Sequence, residues 1–388
     1  MFLIDGPYSS DFLKQTILKF DIPIIETPAA RQQLAGLKLN FIDERSARER
    51  LNKQPDTLVY TNSENALGWL YDNLPESDLV HTILSVKHKV KFRQILSEQD
   101  PQFYFKAYDP LRLKEINPEQ IPFPVILKPA VGFFSLGVQQ IDSARNWVKA
   151  LAAIDQTISA SQGLYPPGVL DNSSFIIEEV IPGDEFAIDC YFDAAGKVVI
   201  LNLMQHLFAS SAAVNDRVYI TSGRLVEQNL PRIQNYLNSL GGLFKLSNFP
   251  AHIEIRINNN QLNVIEINPL RFGGWCSTPD IAQYVWDMNI YEVLINKHEP
   301  DWQTLVRSNP DKTYALVVLD NSTGHSGREI KSFNYKALLK QVSTPLELRK
   351  TNYQKFPVFG FLMCSVPADD PSELYALLHS DLMEYITT

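Results

Sequence analysis

Two glutamates and an asparagine stand where a hard cation can be held. Glu254 lies in His252-Ile253-Glu254-Ile255-Arg256-Ile257, Glu266 and Asn268 lie in the run 262–268, and Asn258-Asn259-Asn260-Gln261 separates the two. Period-two alternation puts Ile253, Ile255 and Ile257 on one face and His252, Glu254 and Arg256 on the other. On the return strand Val264, Glu266 and Asn268 share a face opposite Ile265 and Ile267. Asparagine tolerates left-handed geometry, so the triple Asn suits a hairpin turn. A three-residue loop over 259–261 sets Glu254 directly across from Glu266, with Cβ atoms roughly 4.5–5.5 Å apart. Like charges that close repel unless something positive sits between them. Two carboxylates and an amide oxygen suit Mg²⁺ (or Mn²⁺) together with phosphate. The alternatives are a register slipped by one, or Arg256 neutralising the pair.

The elements that must position this hairpin alternate along the chain. Short apolar runs at Phe2-Leu3-Ile4, 22–25, 39–42 and 58–60 are interleaved with helical patterns at 10–20 and, after the capping Ser63, 64–70. That repetition predicts an open α/β sheet, without a GxGxxG dinucleotide fingerprint. Between Leu84 and Leu96 one apolar helical face carries Lys87, Lys89, Lys91 and Arg93, basic residues expected to be mostly solvated. Phe123 to Pro129 reads as a short buried strand that contains Lys128, followed by a loop with Gly132, Ser135 and Gly137. Further strands are expected at 175–181, 186–192 and 198–203. A helix over 225–240 should stop at Gly241-Gly242, and another should run from Thr278 to about Ile295. The last 88 residues hold strands at 314–319 and 358–366 and a terminal helix.

Composition narrows the classes. The 388 residues are 45% hydrophobic and 20% charged with a net charge of −9, which fits a globular chain of two or three domains. The negative balance without basic blocks argues against nucleic acid and anionic membrane as main partners. No apolar run reaches membrane-span length, and the opening Met1-Phe2-Leu3-Ile4-Asp5-Gly6 lacks the basic region of a signal peptide. Cys190, Cys276 and Cys364 form no CxxC pair, so the expectation is a reducing cytoplasm and no disulfide framework.

The hairpin "HIEIRI…VIEINP" resembles the metal-ligand strand pair of ATP-grasp enzymes, including the twelve-residue spacing of the two Glu. Upstream, in the family's order, "KHKVKFRQIL" resembles the first nucleotide-lysine segment, "VILKPAVGFFSLGV" the second lysine strand and phosphate flap, and "IIEEVIPGDEF" the linker around the adenine. The resemblance covers about residues 85–275. It implies Glu254, Glu266 and Asn268 on the metal, Lys89 (with Lys87 or Lys91 as alternatives) and Lys128 on the α- and β-phosphates, and the Gly132, Ser135 and Gly137 loop over the γ-phosphate. Backbone bonds to adenine are implied near Glu178, Glu179 and Ile181, with Glu185 on the ribose. Two departures stand out: the flap carries Phe133-Phe134-Ser135-Leu136 without a basic residue, and Leu270 intervenes before Arg271.

The resemblance therefore implies an α/β fold of the α+β grasp type. An open α/β domain (1–88) would precede two α+β subdomains, one for nucleotide (89–180) and one for metal and substrate (181–300), and a small α+β extension (301–388). It implies an ATP- and Mg²⁺-dependent ligase joining a small carboxylate, an amino acid in the favoured case, to an amine through an acyl phosphate, with ADP and phosphate released. Arg256 and Arg271 are the candidate catalytic side chains, toward a carboxylate or phosphate. Weaker candidates are His206 and His252 as bases, Cys276 as a nucleophile, and Asp189 and the Asp216-Arg217 pair as lining, with a surface ion pair as the favoured alternative for these last. The rivals are a phosphotransferase on the same fold and a non-catalytic ATP-binding protein. Residues 301–388 would either close over the site or form a homodimer contact.

Overall fold

A computed structural model describes residues 1–131, 137–161, 171–210 and 216–388. The elements run β1 (Phe2–Leu3), α1 (Asp11–Lys19), β2 (Ile24–Ile25), α2 (Pro28–Gln33), β3 (Phe41–Ile42), α3 (Glu44–Lys53), β4 (Tyr60–Thr61), α4 (Leu67–Asn73), α5 (Asp78–Lys87) and α6 (Lys89–Leu96). There follow β5 (Phe105–Tyr108), β6 (Val125–Val131), β7 (Gln139–Ile141), α7 (Trp147–Ser161), β8 (Asp171–Glu179), β9 (Asp184–Phe192), β10 (Val198–Leu207), β11 (Val218–Thr221), α8 (Gly223–Leu243), β12 (Phe249–Asn258) and β13 (Gln261–Pro269). The chain ends with α9 (Ser277–Trp286), α10 (Ile290–Asn296), α11 (Trp302–Leu305), β14 (Lys312–Asp320), β15 (Ser332–Phe333), α12 (Tyr335–Leu339), β16 (Thr344–Lys350), β17 (Val358–Pro367), α13 (Ser372–His379) and β18 (Ile386–Thr387). The fold is mixed α/β, as the alternation predicts. It divides into two compact units, 1–183 with 190–199 and 235–276, and 184–189 with 200–234 and 277–388.

In the first unit β3-β2-β1-β4 form a parallel sheet whose apolar strands Phe2, Leu3, Ile24 and Ile25 are fully buried. Its helices start where short polar side chains satisfy the first turn: Ser10 accepts from Leu13 N–H and Thr27 from Ala30 N–H. The expected single helix at 84–96 is two helices, because His88 is extended at φ −82°, ψ 102°. The break aims Lys87 and Lys89 at different partners. Lys87 and Arg93 are buried, at 5% and 4% exposure, which overturns the solvated-face reading; buried carboxylates described below are the physical reason.

A second, antiparallel sheet of this unit runs β5-β8-β6-β7, with Lys128 on the inner strand β6. Helix α7 covers it, Trp147, Leu151 and Ile154 packing with Val125, Leu127 and Ile177. Helix α8 does not stop at Gly241-Gly242 but runs to Leu243. A Cβ at Gly241 would lie 2.8 Å from Gly196 O and the Phe192 ring, so that glycine serves a close approach rather than a helix end.

The hairpin β12–β13 pairs Glu254 with Glu266 and Ile253 with Ile267, then Ile255 with Val264. The loop is therefore two residues, Asn259-Asn260, with Asn259 left-handed at φ 53°. A β-bulge at Ile265 makes up the difference. It moves Val264 from the carboxylate face, where simple alternation had put it, to the apolar side, buried against Ile255.

In the second unit β10, β11, β14, β17 and β16 pair antiparallel in that order. Val218, Val317, Leu319, Phe359, Leu362 and Leu377 form its core. The expected helix from 278 to 295 is split into α9 and α10, with Asp287 left-handed at φ 50° between them. No helix among the described residues is long and apolar enough to cross a membrane.

Candidate active site

The hairpin sets Glu254 and Glu266 opposite each other, and the Asn268 amide donates to Glu266 Oε1 at 2.8 Å. Lys89, from the first turn of α6, brings Nζ to 3.6 Å from Glu266 Oε2. Burial disfavours the charged carboxylate of Glu266, but Lys89 and Lys87 outweigh it and hold its pKa below the usual range. His252 Nε2 lies 3.7 Å from Glu254 Oε1. Among the described residues no three His, Cys, Asp or Glu side chains gather into a metal site of their own. Two facing carboxylates and an amide are an incomplete shell of that kind, and phosphate oxygens would complete it for Mg²⁺, which commonly takes one or two carboxylates plus substrate phosphates. The donor set fits that metal.

Two buried ion networks brace this group, and each centres on a glutamate to which the sequence had given no such part. Glu178, on β8, receives Lys128 Nζ at 2.5 Å and Arg93 Nε at 2.7 Å. Glu64, just after β4, receives Lys87 and, at 2.5 Å, Arg271 Nη2. Burial opposes ionisation of both carboxylates, yet the paired cations bring each pKa down to about 2. Burial conversely lowers the pKa of Lys87 and of Lys128 against the pull of their glutamates.

Of the remaining predicted residues, Arg256 donates Nη1 to Ile181 O at 2.7 Å, pinning the linker to β12. Gly183 follows at φ +112°, and a Cβ there would lie 2.3 Å from Ile257 O. The Glu179 N–H is donated to Tyr104 O at 3.0 Å. Gly137 takes φ +72° against Pro129. Gly132 and Ser135, with Phe133 and Phe134, lie outside the described residues. Arg271 is engaged by all three of its nitrogens, two on Glu64 and Nη1 on Phe272 O. Leu270, Trp275 and Cys276 are left-handed non-glycine residues in the loop after the hairpin, a strain of about 1–3 kcal/mol each of the sort found around functional sites.

Glu185 belongs to the second unit, where His206 Nδ1 lies 2.9 Å from its Oε1. His206 Nε2 is buried with no partner among the described residues, which removes it as a solvent-facing base. Asp189 accepts from Thr278 Oγ1 at 2.6 Å. Asp216 and Arg217 do not form a surface pair: Asp216 accepts from Tyr219 OH, and the buried Arg217 pairs with Asp320. Cys276 is 1% exposed, which argues against a nucleophile. Sequence reasoning missed Glu64 and Arg93. The available signals were Glu64 placed directly after a strand of the parallel sheet, and Arg93 one helical turn beyond Lys89.

Residues 121–279 match the sequence profile of the ATP-grasp domain family. This chain carries an ATP-grasp domain. The whole chain also superposes on solved proteins. An L-amino acid ligase from Bacillus licheniformis matches with a TM-score of 0.70 at 18% identity, over 100% of this chain and 97% of that one. An N5-carboxyaminoimidazole ribonucleotide synthetase from Thermotoga maritima gives 0.61 at 14%, over 100% and 98%. A phosphoribosylglycinamide synthetase from Anaerococcus prevotii gives 0.57 at 14%, again over 100% and 98%. At these identities the likeness is one of fold. No curated protein matches the chain in sequence. The ATP-grasp match takes in Lys128, Glu178, Glu185, Arg256 and the Glu254/Glu266/Asn268 set, and begins after Lys89 and Arg93.

Proposed function

We propose that the chain is an ATP-dependent ligase joining a small carboxylate, an amino acid in the favoured case, to an amine through an acyl phosphate, with ADP and phosphate as co-products. The observation that carries this reading is the Glu254–Glu266 pair with Asn268 beside it, set in an ATP-grasp domain and faced by Lys89. Likeness to an L-amino acid ligase supports the amino acid as acyl donor.

A carboxylate attacking a triphosphate brings anion onto anion, so this chain's work is neutralising and aligning. Lys89 and Lys128 supply point charges for the phosphates; Glu178 holds Lys128 in place. Glu254, Glu266 and Asn268 would hold a divalent cation, which would supply positive charge to offset that of the in-line displacement. Arg256 fixes the linker through Ile181 O, and Arg271 fixes the loop after the hairpin through Glu64. We assign no general base. Site and cofactor assignments predict that Glu266→Ala lowers ATP turnover by roughly a hundredfold or more, since even outer-shell changes at metal sites cost about 10–100-fold. The same variant should bind nucleotide in EDTA as the wild type does. Turnover within threefold of wild type would remove Glu266 from the site.

A further inference from the structure

The carboxylate pair depends on an irregularity in the strand that carries it. Between the Asn259-Asn260 turn and Val264 the strands pair one register short of the pairing at Glu254. Had that register continued, Ile265 would face Glu254 and Glu266 would turn to the apolar side with Ile253. The bulge at Ile265 alone brings the two glutamates together, and a bulge leaves backbone groups without ladder partners.

Two side chains take backbone groups of this edge strand at and beside the bulge. Arg93 donates Nη1 to Val264 O at 2.9 Å and Nη2 to Ile265 O at 3.5 Å. The Tyr236 hydroxyl, from α8, accepts the Val264 N–H at 2.9 Å. The same guanidinium holds Glu178 through Nε at 2.7 Å, and Glu178 holds Lys128. Arg93 is 4% exposed and lies over the Phe103 ring, 4.6 Å from Cζ to centroid, so its position is fixed from every side. It shares α6 with Lys89, whose Nζ lies 3.6 Å from Glu266.

We propose that Arg93, assisted by Tyr236, is the positioning residue of the metal site. It holds the Ile265 bulge and thereby turns Glu266 toward Glu254, and through Glu178 the one planar fork also sets Lys128. This rests on the reading of Glu254 and Glu266 as ligands of a divalent cation. A lysine at 93 keeps the charge beside Glu178 but cannot span from it to two carbonyls, because an ammonium is a point donor and a guanidinium a fork.

The test is Mn²⁺ binding measured by electron paramagnetic resonance on the full chain with ADP, for wild type, Arg93→Lys and Tyr236→Phe. ADP affinity in EDTA and the thermal melt are read in parallel. The expected result is a tenfold or greater loss of Mn²⁺ affinity in Arg93→Lys and a smaller loss in Tyr236→Phe, with ADP affinity in EDTA within threefold of wild type. Tyr236→Phe removes one hydroxyl and touches no charge, so it keeps the question open if Arg93→Lys folds poorly. Unchanged Mn²⁺ affinity in both variants overturns the proposal. So does an Arg93→Lys that loses ADP and Mn²⁺ affinity equally, since Arg93 would then act through Glu178 alone. A wild type that binds no Mn²⁺ refutes the metal reading itself, which separates that failure from one confined to Arg93.

Discussion

Glu64→Gln removes the anion at the centre of one buried network and leaves Lys87 and Arg271 facing each other across a neutral amide. The carboxylate is 6% exposed, and its pKa falls from the reference 4.5 to about 2, with burial working against the two cations that lower it. Lowering the carboxyl from 4.5 to about 2 corresponds to about 3 kcal/mol. Breaking a buried ion pair from one side costs about 3–5 kcal/mol by a separate route, so the two figures agree. Urea unfolding at pH 7 should therefore show the variant less stable by about 3 kcal/mol. The pH dependence isolates the group. A depressed carboxylate pKa contributes stability that is full above the unfolded value, near 4.5, and is lost as pH falls through about 2. The gap between wild type and variant should hold from pH 7 to about 5 and close between about 5 and 2. Glu178 titrates in the same range but is present in both proteins, so it cancels. A gap under 1 kcal/mol at pH 7, or one that persists undiminished at pH 2, refutes the network as a source of stability.

Gly183→Ala places a Cβ 2.3 Å from Ile257 O at φ +112°, so the linker must shift; the melting temperature should drop by several degrees and nucleotide binding weaken, and an unchanged melt would contradict the close approach. Lys128→Met leaves Glu178 neutralised by Arg93, so the protein should stay folded while ADP affinity in EDTA falls about tenfold; equal affinity would take Lys128 out of the nucleotide site. Cys276→Ser should keep full turnover, given a thiol 1% exposed, and an inactive, folded variant would revive a nucleophile.

The facing of Glu254 and Glu266 was legible because it follows from alternation and a turn. The way it is achieved was not. A three-residue loop with a regular ladder and a two-residue turn with a bulge place the same two residues opposite each other, and only the placement of Val264 distinguishes them. The open α/β sheet was legible from its apolar runs interleaved with helical patterns at 10–20 and 64–70, while α2 and α3 between the other strands were not read. Lys87 and Arg93 were misread as solvated because their partners lie 23 and 85 residues away in sequence, beyond any periodicity. Gly241-Gly242 has the composition of a helix stop, yet the surrounding contacts show that Gly241 is there for space. His88, where one helical pattern becomes two helices, carries no Gly or Pro signal; its extended backbone goes with the separate ion pairs made by Lys87 and Lys89.

The measurement closest to the central claim is mass spectrometry of the purified protein incubated with ATP, Mg²⁺ and a pool of amino acids and small amines, scoring the nucleotide and any new condensed mass. The proposed ligase predicts ADP together with a product equal in mass to two pool members less one water. ADP with only a phosphorylated pool member would contradict ligation in favour of phosphoryl transfer, and ATP left intact across the pool would favour a binding protein.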